Sequence, residues 1–263
     1  MRRMAAQDIP ELKALWKKVF GDTDEYIDLF FEDLHHPDGG VVIHDNGTLA
    51  AMGFLVRLGE YNGREALVTY AVACEPDFRG RGHGAAISRE LMSIAGEGAV
   101  ICPAEKSLFD FYRDRAGYET AFYVSEYTFN NSNLISGVGS ISSVTAAEYA
   151  ELREKRLLGI PHIVFDQKAI RHQERISALT GGGLFRVCDG CCAVELWGGR
   201  IIVKELLASN VEKSAATIKN HFGGNEITVR CPVQNLNNCR PFAMAKQRYN
   251  GALPYPWFGF AFD

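Results

Sequence analysis

What the sequence lacks narrows it first. No apolar run approaches the roughly 20 residues that a membrane-spanning helix needs, and the opening MRRMAAQDIP has no apolar core of a signal peptide. A cytoplasmic protein is the expectation. No basic or acidic block is present and the formal net charge is only -4, so nothing in the charge asks for nucleic acid or a membrane surface as partner. An acidic pocket for a cationic substrate stays open. The seven cysteines are an odd count, which without an export signal points to reduced thiols. Cys188-Asp189-Gly190-Cys191 offers two possible zinc ligands, but no second pair with zinc-like spacing follows. Asp189-Gly190 between apolar runs reads better as a hairpin turn. No metal is expected.

What is present is a globular composition of 263 residues, 47% hydrophobic and 23% charged, enough for one large domain or two small ones. Periodicity predicts a strand within residues 1–6, then a helix capped by Asp8 with Leu12, Leu15, Trp16 and Val19 on one face and Gly21 at its end. A second helix is predicted over 24–34. A meander follows, turning at Asp45-Asn46-Gly47 and Asn62-Gly63. Next come the loop RGRGHGAA (79–86), a helix bearing Ile87, Leu91 and Ile94, and the short strand AVICPA. A helix bearing Leu108, Phe111 and Tyr112, closed by Gly117, leads into the strand YETAFYVSEYTF. The stretch NNSNLISGVGSISS, 130–143, has the composition of a linker.

Beyond the linker the same order recurs. Thr145 with Glu148 opens one helix and Asp166 another. Three strands turn at Asp189-Gly190 and Gly198-Gly199, a helix spans 211–222, and EITVRCP is a strand. Helix, helix, three strands, helix, strand thus occurs twice, an internal repeat of an α/β fold with a mixed (α+β) sheet. The copies are expected over 1–130 and 140–263. They differ at one junction, where the second reads LLASNVEKSAA and has no glycine.

Three glycines alternate with Arg81 and His83 between a strand and a helix. A helix N-terminus exposes unpaired N–H groups and the positive end of the helix dipole, and glycine lets a phosphate come close. Arg79 and Arg81 add charge at the rim. A Walker loop would need Lys then Ser or Thr after the last glycine, and a dinucleotide fingerprint would need G-x-G-x-x-G in a βαβ unit. Neither fits. Arg79-x-x-Gly82-x-Gly84 does match the R/Q-x-x-G-x-G/A signature of the GCN5-related N-acetyltransferase (GNAT) superfamily, and VACEPDFRGRGHG resembles the approach to it. LFDFYRDRAGY (108–118) is similar to that family's second motif. The order of elements over 1–130 also looks like that fold, which makes 140–263 a degenerate GNAT-like repeat.

The resemblance implies that acetyl-CoA is the cosubstrate. Backbone amides of Arg79, Gly80, Arg81, Gly82, His83, Gly84 and Ala85 would wrap its diphosphate, and the strand edge at Val72 and Cys74 would pair with the pantetheine amides. Tyr112 matches the family's general acid; packing with Leu108 and Phe111 is the alternative role. Its ordinary pKa near 10 lies close to that of a leaving thiol. Where the family has Asn, seven residues before this Tyr, stands Glu105, a candidate base or else a first-turn acid complementing the helix dipole. Val68, Thr69 and Tyr70 occupy the strand region where some members carry a carboxylate.

The ending GALPYPWFGFAFD offers aromatic rings and Asp263 with two carboxylates, a set that suits an ammonium group; a buried final strand is the alternative. A tandem chain with a terminal carboxylate near the thioester resembles the aminoglycoside acetyltransferases of the enhanced-intracellular-survival type. The function implied is acetyl transfer to a primary amine of a small molecule or peptide, the second half binding no CoA and walling the acceptor pocket. Two other readings are an acyl-CoA sensor without turnover, and aminoacyl transfer from tRNA on a similar tandem fold, which would need no CoA loop.

Overall fold

Apolar residues three and four apart make the first helix. α1 (Ile9–Phe20) buries Leu12, Leu15 and Trp16 and ends at Gly21, as the sequence predicts. α2 (Asp24–Asp33) begins at Thr23, whose hydroxyl accepts the Tyr26 N–H at 3.2 Å. Asp8 precedes α1 but does not cap it. Its carboxylate accepts the Ala5 N–H at 2.7 Å and both Arg2 terminal nitrogens at 2.7 and 2.8 Å. A paired guanidinium outcompetes helix amides for this carboxylate, and the Arg2 bond holds its pKa down at about 2.

The computed structural model describes residues 1–130, 139–234, 236–247, 251 and 254–262. Two units divide the chain, Met1–Ala121 with Ala243–Tyr249, and Phe122–Phe242 with Asn250–Asp263. In the first unit β1 (Arg2–Arg3), β2 (Gly40–Asp45), β3 (Thr48–Tyr61) and β4 (Arg64–Cys74) pair antiparallel in that order, and β5 (Ala99–Ile101) adds parallel to β4. α3 (His83–Ala95) packs Ile87 and Leu91 against Val41, Ala51 and Leu55 of the sheet. α4 (Lys106–Ala116) follows β5 and ends at Gly117.

β6 (Glu119–Asn130) belongs to the second unit from Phe122 on, and β7 (Ile141–Ser143), α5 (Ala146–Arg156), β8 (Val164–Phe165), α6 (Gln167–Leu179), β9 (Gly183–Val187), β10 (Gly190–Trp197), β11 (Arg200–Leu207), α7 (Val211–Phe222) and β12 (Glu226–Cys231) follow in that unit in turn. β7, β9, β10 and β11 are antiparallel, and β12 adds parallel to β11. The pattern of β2–β3–β4 with parallel β5 is thus repeated by β9–β10–β11 with parallel β12. The two caps predicted here form: Thr145 and Glu148 make a capping box, and Asp166 accepts the Ala169 N–H at 2.8 Å. The predicted turn at Asp189-Gly190 lies one residue earlier, at Cys188-Asp189. Gly190 already pairs in β10, where a Cβ would stand 1.8 Å from the Leu207 carbonyl oxygen.

The strand beside β5 had no sequence signal. It is β13 (Cys239–Ala245), whose Met244 and Ala245 pair antiparallel with Ile101 and Val100. Conversely, Ser125–Asn130 of β6 pair with β12 in the second unit. Each unit therefore completes its sheet with a strand from the far half of the sequence. This shifts the division expected at 1–130 and 140–263. Of the linker, residues 131–138 lie outside the described residues, and Ile141–Ser143 form a strand on β9.

Among the described residues the C-terminal aromatics form no strand ladder; one bridge joins Trp257 to His162. Trp257, Phe258 and Phe260 are fully buried. The Phe260 ring stacks on Phe165 at 4.4 Å, and Phe258 meets Phe122 edge-on at 5.3 Å. These rings are interior to the second unit, so they form no open ammonium site there. Asp263 lies outside the described residues. The buried Glu205 carboxylate accepts the Trp257 indole N–H, the Tyr149 hydroxyl at 2.9 Å and Arg153 Nε at 3.0 Å. Removing one partner leaves buried charge short of a donor. Trp257→Phe should cost about 1–3 kcal/mol from the lost bond alone, read as a lower urea midpoint; an unchanged midpoint would show that the tail is not pinned through Glu205.

Candidate active site

β4 and β5 pair only from Leu67 to Thr69, opposite Ala99 to Ile101. Ala71 then takes a left-handed φ of 47° and the β3–β4 register shifts between Met52 and Phe54, a bulge that turns β4 away. From Ala71 to Cys74 the strand keeps β3 on one side and has no partner strand on the other among the described residues. An edge of free peptide groups results. It leads through a turn at Pro76–Phe78 to Gly80 and Gly82, both left-handed at φ 79° and 83°. A Cβ on either glycine would meet nothing within 4 Å, so space there is open to a ligand.

α3 begins at His83, inside the stretch 79–86 read as loop, and Gly82 before it supplies no side-chain cap. The Ala86 N–H is bonded to the Gly82 carbonyl at 3.0 Å, so the amides from Gly80 to Ala85 precede the helix's own hydrogen bonds. Arg79 is excepted from the predicted amide set, because its N–H goes to the Pro76 carbonyl at 3.2 Å. Gly84 has a different task. Its Cβ would stand 3.4 Å from Cys74 Sγ and 3.8 Å from the Phe111 ring, which packs the helix start against β4 and α4. The Val72 side chain points to α3, near Ile87 and Leu91, and its backbone stays on the open edge.

Arg81 does not stand free at the rim. Its Nη1 donates to Asp45 Oδ2 at 2.9 Å and its guanidinium lies 4.7 Å over the Phe78 ring. Arg79 has no ion pair among the described residues. Tyr112 is 7% exposed and packs with Met92, Ile101, Ala116, Tyr118 and Met244. Burial first, then the neighbouring Tyr118 and Cys74, push its phenol well above the ordinary value. The expected match to a thiol is therefore lost, and Tyr112 stays a neutral donor. Burial also raises the Cys74 thiol, against the Gly84 N–H and the Arg79 charge, which pull it down. Cys74, Gly84 and Tyr112 are thus brought together from β4, α3 and α4.

Thr69 and Tyr118 had no assigned role. Their buried hydroxyls are 2.7 Å apart, and the Tyr118 N–H donates to the Tyr112 carbonyl at 3.2 Å. Tyr118 ends the stretch LFDFYRDRAGY, so its position was visible but its partner, far off in sequence, was not. Glu105 is exposed at the start of α4 and, among the described residues, accepts from Ser107 at 3.4 Å. That is the place of an acid complementing the helix dipole.

No protein-family model matches this sequence, and no curated protein is significantly similar to it. Solved structures are similar. A GCN5-related N-acetyltransferase from Anabaena variabilis ATCC 29413 aligns with a TM-score of 0.67 over 92% of this chain and 71% of its own, at 15% identity. Eis1 from Mycobacterium abscessus gives 0.61 over 92% and 72%, at 13% identity. A tandem GNAT protein from the clavulanic acid biosynthesis pathway gives 0.52 over 92% and 95%, at 10% identity. This chain has the GNAT fold. The last of these likenesses extends it to the tandem arrangement that the internal repeat predicts. Within the repeated GNAT fold the two strand-to-helix junctions differ in chemistry: α3 is uncapped, whereas Asn210 caps α7 by accepting the Lys213 N–H at 2.8 Å.

Burial fixes a pH dependence. The Tyr118 phenol is pushed up to about 12 from its ordinary 10.0, and Tyr112 is raised as well. The folded state holds these protons more tightly than the unfolded chain. Their contribution to stability is complete below pH 10.0 and is lost as pH rises through about 12. Denaturant unfolding across that range, with phenolate absorbance, should show the decline; phenols that titrate at their ordinary value in the folded protein would contradict it.

Proposed function

We propose that the protein transfers an acyl group, acetyl in the simplest case, from acyl-CoA to a primary amine of a small molecule or peptide. One observation carries this: an open strand edge, Ala71–Cys74, runs directly onto the amides of Gly80–Ala85, which, Gly84 with its bond to Cys74 excepted, have no backbone partner among the described residues, at a helix start without a side-chain cap. The edge suits the amides of a pantetheine arm, and the helix start suits a diphosphate. The open space beside Gly80 and Gly82 is where a phosphate can approach the backbone. Acyl-CoA supplies an activated thioester. The amine nitrogen attacks its carbonyl, the C–N bond forms and the C–S bond breaks; the nitrogen gives up one proton and the departing thiolate takes up one, so that the free thiol of CoA is released.

Tyr112 is the group we assign to the leaving sulfur. Held neutral by burial, it donates a hydrogen bond to the developing thiolate. The second unit is a degenerate copy that binds no CoA, since the Asn210 side chain already satisfies the start of α7.

Titration calorimetry with acetyl-CoA and with CoA tests the donor, and thiol release across an amine panel tests turnover. Absence of binding overturns the reading; binding without thiol release makes the protein a sensor. Gly82→Glu should fold, because space at that Cβ is open, yet lose CoA binding. Tyr112→Phe should keep CoA affinity and lower turnover by about 10²-fold or more. Turnover within about twofold of wild type would return Tyr112 to a packing role.

A further inference from the structure

Arg81 is the one cation inside the loop's glycine run, and three contacts from outside the run hold it. Nη1 donates to Asp45 Oδ2 at 2.9 Å, Nη2 to the Asp77 carbonyl at 3.3 Å, and the guanidinium lies over the Phe78 ring. Asp45 ends β2, next to the tight Asn46-Gly47 turn, so the carboxylate sits on a rigid hairpin. The same Oδ2 is 3.9 Å from Nε2 of His83, the first residue of α3, and that buried nitrogen has no hydrogen-bond partner among the described residues. A negative group is thus fixed at the mouth of a site whose amides and helix dipole are arranged for an anion.

We propose that Asp45 is an affinity-determining residue of the donor site, an internal anion that a bound diphosphate must compete with for Arg81. This rests on the acyl-CoA reading above. Two effects act in the same direction. The carboxylate repels a phosphate brought to the amides of Gly80–Ala85, and it engages the guanidinium that would otherwise pair with that phosphate. The Asp45 and Arg81 side chains are 29% and 51% exposed, so solvent weakens their pair and the exchange is easy in both directions. Asp45 acts equally on acyl-CoA and on CoA, because both carry the diphosphate. Its effect is to loosen substrate and product together, which favours release of CoA after transfer.

The test is calorimetry on the full chain with CoA, acetyl-CoA and dephospho-CoA, comparing wild type, Asp45→Asn and Asp45→Ser, with thermal melts to establish folding. Removing the carboxylate should tighten all three ligands about three- to tenfold, and the gain should shrink as salt is raised. Unchanged or weaker binding in both variants at unchanged melting temperature overturns the proposal; the pair would then hold the loop's shape. A gain with CoA that is absent with dephospho-CoA assigns the effect to the 3′-phosphate and overturns the diphosphate assignment. If wild type binds none of the three, the acyl-CoA reading fails and the proposal with it, an outcome separate from a wild type that binds and variants that do not differ.

Discussion

The candidate site depends on one event in the backbone, the separation of β4 from β5 after Thr69. A non-glycine residue in the left-handed region costs about 1–2 kcal/mol, and Ala71 holds that conformation two residues past the last pairing. Its effect is to rotate the following peptide groups away from the sheet. Without it, β4 would remain in register with β5 and its peptide groups would be used internally. With it, they face a gap. The buried Thr69–Tyr118 hydroxyl pair fixes where the separation begins, since it ties the last paired residue of β4 to the segment that follows α4.

The same chain contains a control for the loop. Both units run a strand into a helix after a parallel pairing, and both folds are intact. At one junction glycines leave the helix start without a side-chain cap; at the other an asparagine side chain caps it. Backbone geometry of the GNAT fold is therefore compatible with either outcome. A few side chains decide whether a helix start attracts an anion or merely ends cleanly.

Local chemistry was legible in the sequence and distant pairing was not. The glycine loop, the Thr145–Glu148 capping box and the Asn-Gly turns announce themselves because each is written within a few residues. Gly84 was read as part of the phosphate cradle, yet its neighbours are Cys74 and Phe111, which only the tertiary structure brings to it. The Asp45–Arg81 pair spans the β2–β3–β4 meander and left no pattern. The final aromatics could be counted but not oriented: their burial depends on Glu205, Phe165 and Phe122, all remote in sequence. β13 escaped because Arg240 and Pro241 break the alternation that marks a strand.

The crossing of strands between sequence halves has a consequence for how the molecule is made. While the chain leaves the ribosome, β5 emerges early, but Met244 and Ala245 arrive only after nearly all of the second half. Throughout that interval one side of β5 is an unpaired edge, the kind of surface that recruits stray strands. Closing it requires a loop that encloses most of the second unit, and contacts of such long range slow folding. The β6–β12 pairing of the second unit has no such wait, because Ser125–Asn130 are already synthesised when β12 appears, although that unit's core still awaits Trp257, Phe258 and Phe260. The sheet beside the glycine loop thus stays open until β13 appears, and a nascent chain stalled before β13 would present the loop on an incomplete sheet.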